Sequence, residues 1–211
     1  MFARLVAAIA AMVVVVTASN ILVQFPVAAD LGPLHLSDIL TWGAFTYPFA
    51  FLVSDLANRY DGPRQARIVV LVGFVVALGL SAYLATPRIA IASATAFLVG
   101  QLLDIAVFSR LRRGLWFVPP LVGSLLGSAL DTLIFFGLAF APAFAPIDAM
   151  FGSADGSLGF VAPWLGLGPD VPLWLSLATG DFTVKFLAAL LLLAPYRLLM
   201  GRFVPLKPAA A

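Results

Sequence analysis

Six long apolar runs divide the chain, at about residues 4–24, 39–57, 66–86, 89–109, 117–140 and 173–194. Most of its charges collect between them, in short stretches holding arginine, glycine and proline. Each run approaches the roughly 20 residues that an α-helix needs to cross about 30 Å of hydrocarbon. Membrane strands would show short alternating segments, and these runs are too long and unbroken for that. The pattern predicts an all-α polytopic membrane protein, with six transmembrane helices in one bundle and a single domain over residues 1–211. The opening MFARLVAAIAAMVVVVTASN has the basic start, apolar run and small residues of a secretory leader. That run flows on into ILVQFPV, so the expectation is a retained first span.

Composition strengthens the membrane reading. The chain is 63% hydrophobic and 10% charged, with a mean hydropathy of +1.08. A soluble domain carries about 25% charged residues, so this chain cannot cover itself with a polar surface. All ten acids are aspartate. The bases fall in clumps between spans, which argues for membrane topology and against a nucleic-acid-binding face. Arg4 precedes the first span; Arg59, Arg64 and Arg67 follow the second; Arg110, Arg112 and Arg113 follow the fourth; Arg197, Arg202 and Lys207 follow the sixth. With six spans, those ten bases share one side and only Arg88 lies on the other. Cytoplasmic loops carry the excess of Lys and Arg, so both termini are expected in the cytoplasm. Trp42, Trp116, Trp164 and Trp174 fall near span ends, where interfacial anchors sit.

Polar residues inside the spans are the candidates for function. A membrane-centre aspartate costs about 2.5–3.5 kcal/mol on insertion scales, so each must be paired, protonated or facing water. Asp104 sits in the fourth span with Gln101 on the same helix face. Asp131 sits mid-way along the fifth, at the end of a stripe formed by Gly123, Ser124, Gly127 and Ser128. Small residues at that spacing pack helices closely, but packing does not account for the acid. Asp181 and Lys185 are four apart in the sixth span, in the favourable order for a helix pair; Lys185 pairing with Asp131 is the alternative. Asn20 and Gln24 stand at the outer end of the first span, placed to bond a planar ligand or a neighbouring helix.

These side chains come from several spans and suit capture or passage of a polar solute. Enzyme chemistry lacks its usual parts. There is no cysteine and one histidine, His35, read as a surface residue. That removes most metal and thiol chemistry, and no nucleotide-binding glycine loop or Ser-His-Asp set stands out. No catalytic residue, metal or cofactor is expected. The outer connection at 141–172 reads as an interfacial loop, a substrate-side lid or a re-entrant element.

Several stretches resemble the queuosine precursor transporters, bacterial inner-membrane proteins of a vitamin-uptake-like class. They are TASNILVQFPV, TWGAFTYPFAFLVSDLANRYDGPRQAR, RIAIASATAFLVGQLLDIAVFSRLRR, the W-x-x-P of WFVPP, GSLLGSALDTLIFFGLAF and DFTVKFL. They span about half of the chain. The resemblance implies a six-helix importer of 7-cyano-7-deazaguanine or 7-aminomethyl-7-deazaguanine, salvaged for modification of transfer RNA, with no direct nucleic-acid binding. It implies a fold like that of the substrate-capturing subunits of energy-coupling-factor transporters. Asn20, Gln24, Asp55, Arg67, Gln101, Asp104, Asp131, Asp181 and Lys185 match the family pattern. Asp131 or Asp104 is the expected carboxylate for the guanine-like edge, with Asn20, Gln24, Gln101, Asp181 and Lys185 as further binding candidates. Asp55 is expected to gate the inner mouth as an ion pair with Arg59 or Arg67. An importer of another small vitamin or purine, and a non-transporting assembly protein, are the alternatives. Energy source, an energising partner and oligomeric state stay open.

Overall fold

The structure, a computed structural model, describes residues 2–32 and 34–203. Lys207 and the side chain of Arg202, counted above among the bases of one side, lie outside what is described. Helix α1 (Phe2–Leu22) leads into a two-residue hairpin, β1 (Asp30–Leu31) and β2 (Leu34–His35). Then come α2 (Gly43–Thr46), α3 (Pro48–Asp61), α4 (Pro63–Leu84), α5 (Pro87–Leu111) and α6 (Val118–Phe140). A short helix α7 (Ala145–Met150) and a second hairpin, β3 (Val161–Pro163) and β4 (Asp170–Pro172), precede α8 (Leu173–Phe203). Prolines set several starts. Pro63 and Pro87 stand in the first turns of α4 and α5, where the missing N–H costs nothing and φ is already helical. Both helices therefore begin before the hydropathy boundaries of 66 and 89.

Among the described residues five helices are long and apolar enough to cross a membrane: α1, α4, α5, α6 and α8. The second predicted span, 39–57, does not form a sixth such helix, so five of the six expected transmembrane helices are continuous apolar helices among the described residues. Residues 36–38 make a 3₁₀ turn, and the helical path starts only at Gly43. Pro48 then interrupts the hydrogen-bond ladder between α2 and α3. Tyr47 keeps helical angles (φ −57°, ψ −38°), so α2 and α3 form one kinked path. A Cβ on Gly43 would meet Val23 at 2.9 Å. At the other end Asp61 pairs with Arg4 at 2.9 Å. The kinked path thus runs beside α1 from end to end.

The packing is inverted relative to a water-soluble protein. Val75, Leu133 and Leu191 are 67%, 66% and 74% exposed on helices that are otherwise apolar. Meanwhile Ser54, Asp55, Asn58, Gln101, Asp104, Ser128, Asp131 and Lys185 are buried. Apolar side chains outward and charges inward is the distribution that a hydrocarbon solvent selects. The chain is a multi-pass membrane protein.

The two ends differ in charge. Arg59 donates to the Arg112 carbonyl at 3.0 Å, and Arg197 lies over the Trp116 ring at 4.8 Å. Together with Arg4 they mark one end. At the opposite end Arg88 is buried. It donates to Asp148 at 2.7 Å, to Ser157 at 3.1 Å and to the carbonyls of Leu138 and Ala141. That one guanidinium pins the 141–172 connection to the α4–α5 turn. Its hydrogen bond, helped by the Gly156 N–H, holds the Asp148 carboxyl below the usual carboxylate range. A depressed carboxyl contributes stability above that range and loses it as acid protonates the group. The fastening therefore holds at neutral pH. In the first hairpin, exposed His35 bonds Asp30 at 2.7 Å, which raises the imidazole above its ordinary value.

Candidate functional site

The acidic residues of the interior divide into two clusters. One lies on the floor of a cavity of about 770 Å³. Helix α6 turns Asp131 inward there, and α8 brings Lys185 and Asp181 on one face, one helical turn apart. The Lys185 ammonium donates to Asp131 Oδ2 at 2.6 Å and lies 2.6 Å from Asp181 Oδ2. Both pairings considered from sequence are therefore made by one lysine. Tyr47, at the α2–α3 kink, donates its hydroxyl to Asp131 Oδ1 at 2.9 Å. Its ring also faces the ammonium, 5.0 Å away. Thr132 donates to Asp181 Oδ2 at 2.8 Å. Two carboxylates around one lysine leave a net negative floor with acceptor capacity to spare, since each carboxylate oxygen has two lone pairs.

The wall is mixed. Asn20 lines it and accepts a hydrogen bond from Ser81 at 2.8 Å. Gln24 stands one turn further out, its amide reaching the Asn20 carbonyl at 3.3 Å. Phe135, Phe136 and Phe140 supply aromatic surface on the α6 side. Residues 37–41 and Thr86 border the mouth, at the end of the bundle that Arg88 fastens. The 141–172 connection contributes none of the cavity's lining residues.

The second cluster holds Asp55 from α3 and Asp104 from α5, both buried. Asp104 and Gln101 do not line the cavity. Gln101 shares its α5 face with Phe97 and Ile105 of the apolar core, and neither of its amide atoms has a hydrogen-bond partner among the described residues. Asp55 makes no ion pair with either expected arginine among the described residues. Arg59 turns instead to the Tyr196 hydroxyl at 2.9 Å and the Arg112 carbonyl, and Arg67 is exposed. The i, i+4 spacing permitted an Asp55–Arg59 pair, but acceptors on α8 and α5 took the guanidinium.

Sequence reasoning missed Tyr47 and Thr132. Both carried a signal: a tyrosine immediately before the span's only proline, and a hydroxyl next to Asp131.

The family described as "Putative vitamin uptake transporter" matches residues 41–85 and 80–199. The chain is 36% identical over 205 residues to the queuosine precursor transporter of Escherichia coli (strain K12), covering 86% of this chain and 79% of that protein. It is 36% identical over 133 residues to the probable queuosine precursor transporter of Haemophilus influenzae (strain ATCC 51907 / DSM 11121 / KW20 / Rd), covering 50% of this chain and 57% of that one. No solved structure matches. A family match across most of the chain and a relative aligned over most of both lengths support one conclusion: the chain belongs to the vitamin-uptake-like queuosine precursor transporters, and is a transporter rather than an enzyme.

Proposed function

We propose that the chain imports queuosine precursors, 7-cyano-7-deazaguanine and 7-aminomethyl-7-deazaguanine, across the bacterial inner membrane for salvage into transfer RNA. The kinked α2–α3 path serves as the sixth crossing, both termini are cytoplasmic, and residues 1–211 act as one domain. The observation that carries this reading is the cavity with the Asp131–Lys185–Asp181 floor. Its volume lies within the roughly 300–1,000 Å³ of small-molecule sites. A deazaguanine is flat, and its guanine-like edge offers a ring N–H and an amino group. A carboxylate accepts both, and Asp181, which uses only Oδ2 in the bonds above, keeps Oδ1 for this role beside Asp131. Lys185 or Asn20 donates to the ring carbonyl, and Phe135 or Phe136 covers a face. Asp104, buried away from the cavity, is not in this set. The aminomethyl form carries an ammonium that the net negative floor accommodates.

In a strain unable to make the precursor, expression of the chain restores queuosine in transfer RNA at low external precursor, and Asp131→Asn does not. Protein present in the membrane without any restoration would sink the proposal. Competition by guanine, adenine or a vitamin as strong as that of unlabelled precursor would instead favour the broader purine or vitamin importer.

A further inference from the structure

Asp55 and Asp104 pose a separate problem. Their side chains are 2% and 0% exposed and lie within hydrogen-bonding reach of each other. Ser124 donates to Asp55 Oδ2 at 3.3 Å and Ser54 to Asp104 Oδ2 at 3.4 Å. The Oδ1 atom of each acid has no hydrogen-bond partner among the described residues. Glycine at 123 makes the room, since a Cβ there would stand 2.5 Å from Asp104 Oδ1. No cation forms an ion pair with either acid among the described residues. The charged and titratable groups around them are accounted for. Arg59 on α3 is held by Tyr196 of α8 and the Arg112 carbonyl. Lys185 on α8 is held by Asp131 of α6 and by Asp181. Helices α1 and α4 present Met12, Val16, Val69 and Val70 to this side of α3 and α5.

Two buried carboxyls within reach of each other, with no ion pair and only the nearby Arg59 to offset them, cannot both ionise in such a place. A small void of about 20 Å³ is lined by Asp55, Ser124, Ser128, Tyr196 and Lys185, and Lys185 also lines the large cavity. One water needs roughly 10–15 Å³ measured this way, so the void has room for one. We propose that Asp55 and Asp104 are a proton-binding site that couples import to the proton gradient. The pair takes a proton from the outer cavity through the Lys185-side void, shares it between the two carboxyls, and releases it when the inner end opens towards Arg59 and Tyr196. The proton is carried, and no bond in the substrate changes.

The coupling rests on the importer reading, so the test separates the two. Purified protein in liposomes is given labelled 7-cyano-7-deazaguanine, first for exchange against unlabelled substrate and then under an inward tenfold proton gradient. At one proton per substrate the gradient supports up to about tenfold accumulation, because equal concentration ratios carry equal free energy. Asp104→Asn and Asp55→Asn are expected to exchange substrate but not accumulate it. Exchange by the unaltered protein without gradient-driven accumulation would overturn the coupling and leave the importer standing. Accumulation driven by sodium alone would overturn it too, in favour of a sodium ion at the same oxygens. Absence of any exchange would refute the importer reading. The infrared carbonyl band of a protonated carboxyl reads the pair without substrate. It is expected at neutral pH and lost in the double variant Asp55→Asn/Asp104→Asn; its absence from the unaltered protein overturns the site.

Discussion

Lys185→Met is expected to reduce deazaguanine uptake at least about 100-fold and to lower the melting temperature of the purified protein. The lysine is 4% exposed and answers two carboxylates at 2.6 Å each. Removing one member of a buried ion pair costs about 3–5 kcal/mol, because the remaining charge stays desolvated without its partner. Folded proteins hold only about 5–15 kcal/mol in total. Without the ammonium the two carboxylates also lose the donor that fixes their position, so the base edge no longer meets acceptors held in place. Stability and uptake should therefore separate in the double variant Lys185→Met/Asp181→Asn. With one negative charge fewer it recovers melting temperature and stays defective in uptake. Lys185→Arg is not a rescue, since the guanidinium fork is larger than the site and prefers a planar two-point contact. Uptake into cells and thermal melting in detergent measure both effects. Near-normal values of both in Lys185→Met would mean that the ammonium holds nothing together.

Gly127→Leu is the second large effect. A Cβ at this position would stand 2.8 Å from the Gly100 carbonyl oxygen and 2.8 Å from the Phe51 ring. The contact is reciprocal, because a Cβ on Gly100 would stand 2.9 Å from the Gly127 carbonyl oxygen and 2.9 Å from Asp131 Cβ. Helices α5 and α6 are the most extensively packed pair in the bundle, and this is where their backbones touch. Overpacking costs about 1–3 kcal/mol where side chains can yield, and more is expected here because the obstacle is backbone. Asp104 rides on α5 and Asp131 on α6, so wedging the two apart disturbs both acidic clusters together. Gly127→Leu is expected to yield little monodisperse protein and no uptake. Gly137 on the same helix is the control: a Cβ there meets nothing within 4 Å. Gly137→Ala should match or slightly exceed the original stability, given the roughly 1 kcal/mol preference of helices for alanine. Equal behaviour of the two variants would refute the close contact.

Much of the scaffold was legible in the sequence, and the reasons are physical. Runs such as 66–86 carry one solvent preference along their whole length, so hydropathy finds them without tertiary knowledge. The stretch 39–57 was counted as a full span because hydropathy does not register a late helix start. That start at Gly43 depends on how residues 36–42 fold against α1. The polar residues within the spans were legible as a list of candidates, and their geometry was not. Asp104 and Asp131 look alike along the chain, each an acid within an apolar helix. Only the rotation of α5 against α6 turns one toward α3 and the other toward α8. Arg59 shows the same limit. Spacing on one helix offered Asp55, while its partners came from Tyr196 and Arg112, more than 50 residues away in each case.

Equilibrium binding of labelled 7-cyano-7-deazaguanine to the purified protein tests the outer cavity most directly, with Asp131→Asn alongside. Saturable binding by the unaltered protein, displaced by unlabelled precursor and lost in Asp131→Asn, is the expected result. No saturable binding by the folded protein, or binding unchanged in the variant, would contradict the assignment of the cavity floor as the place where the base is read.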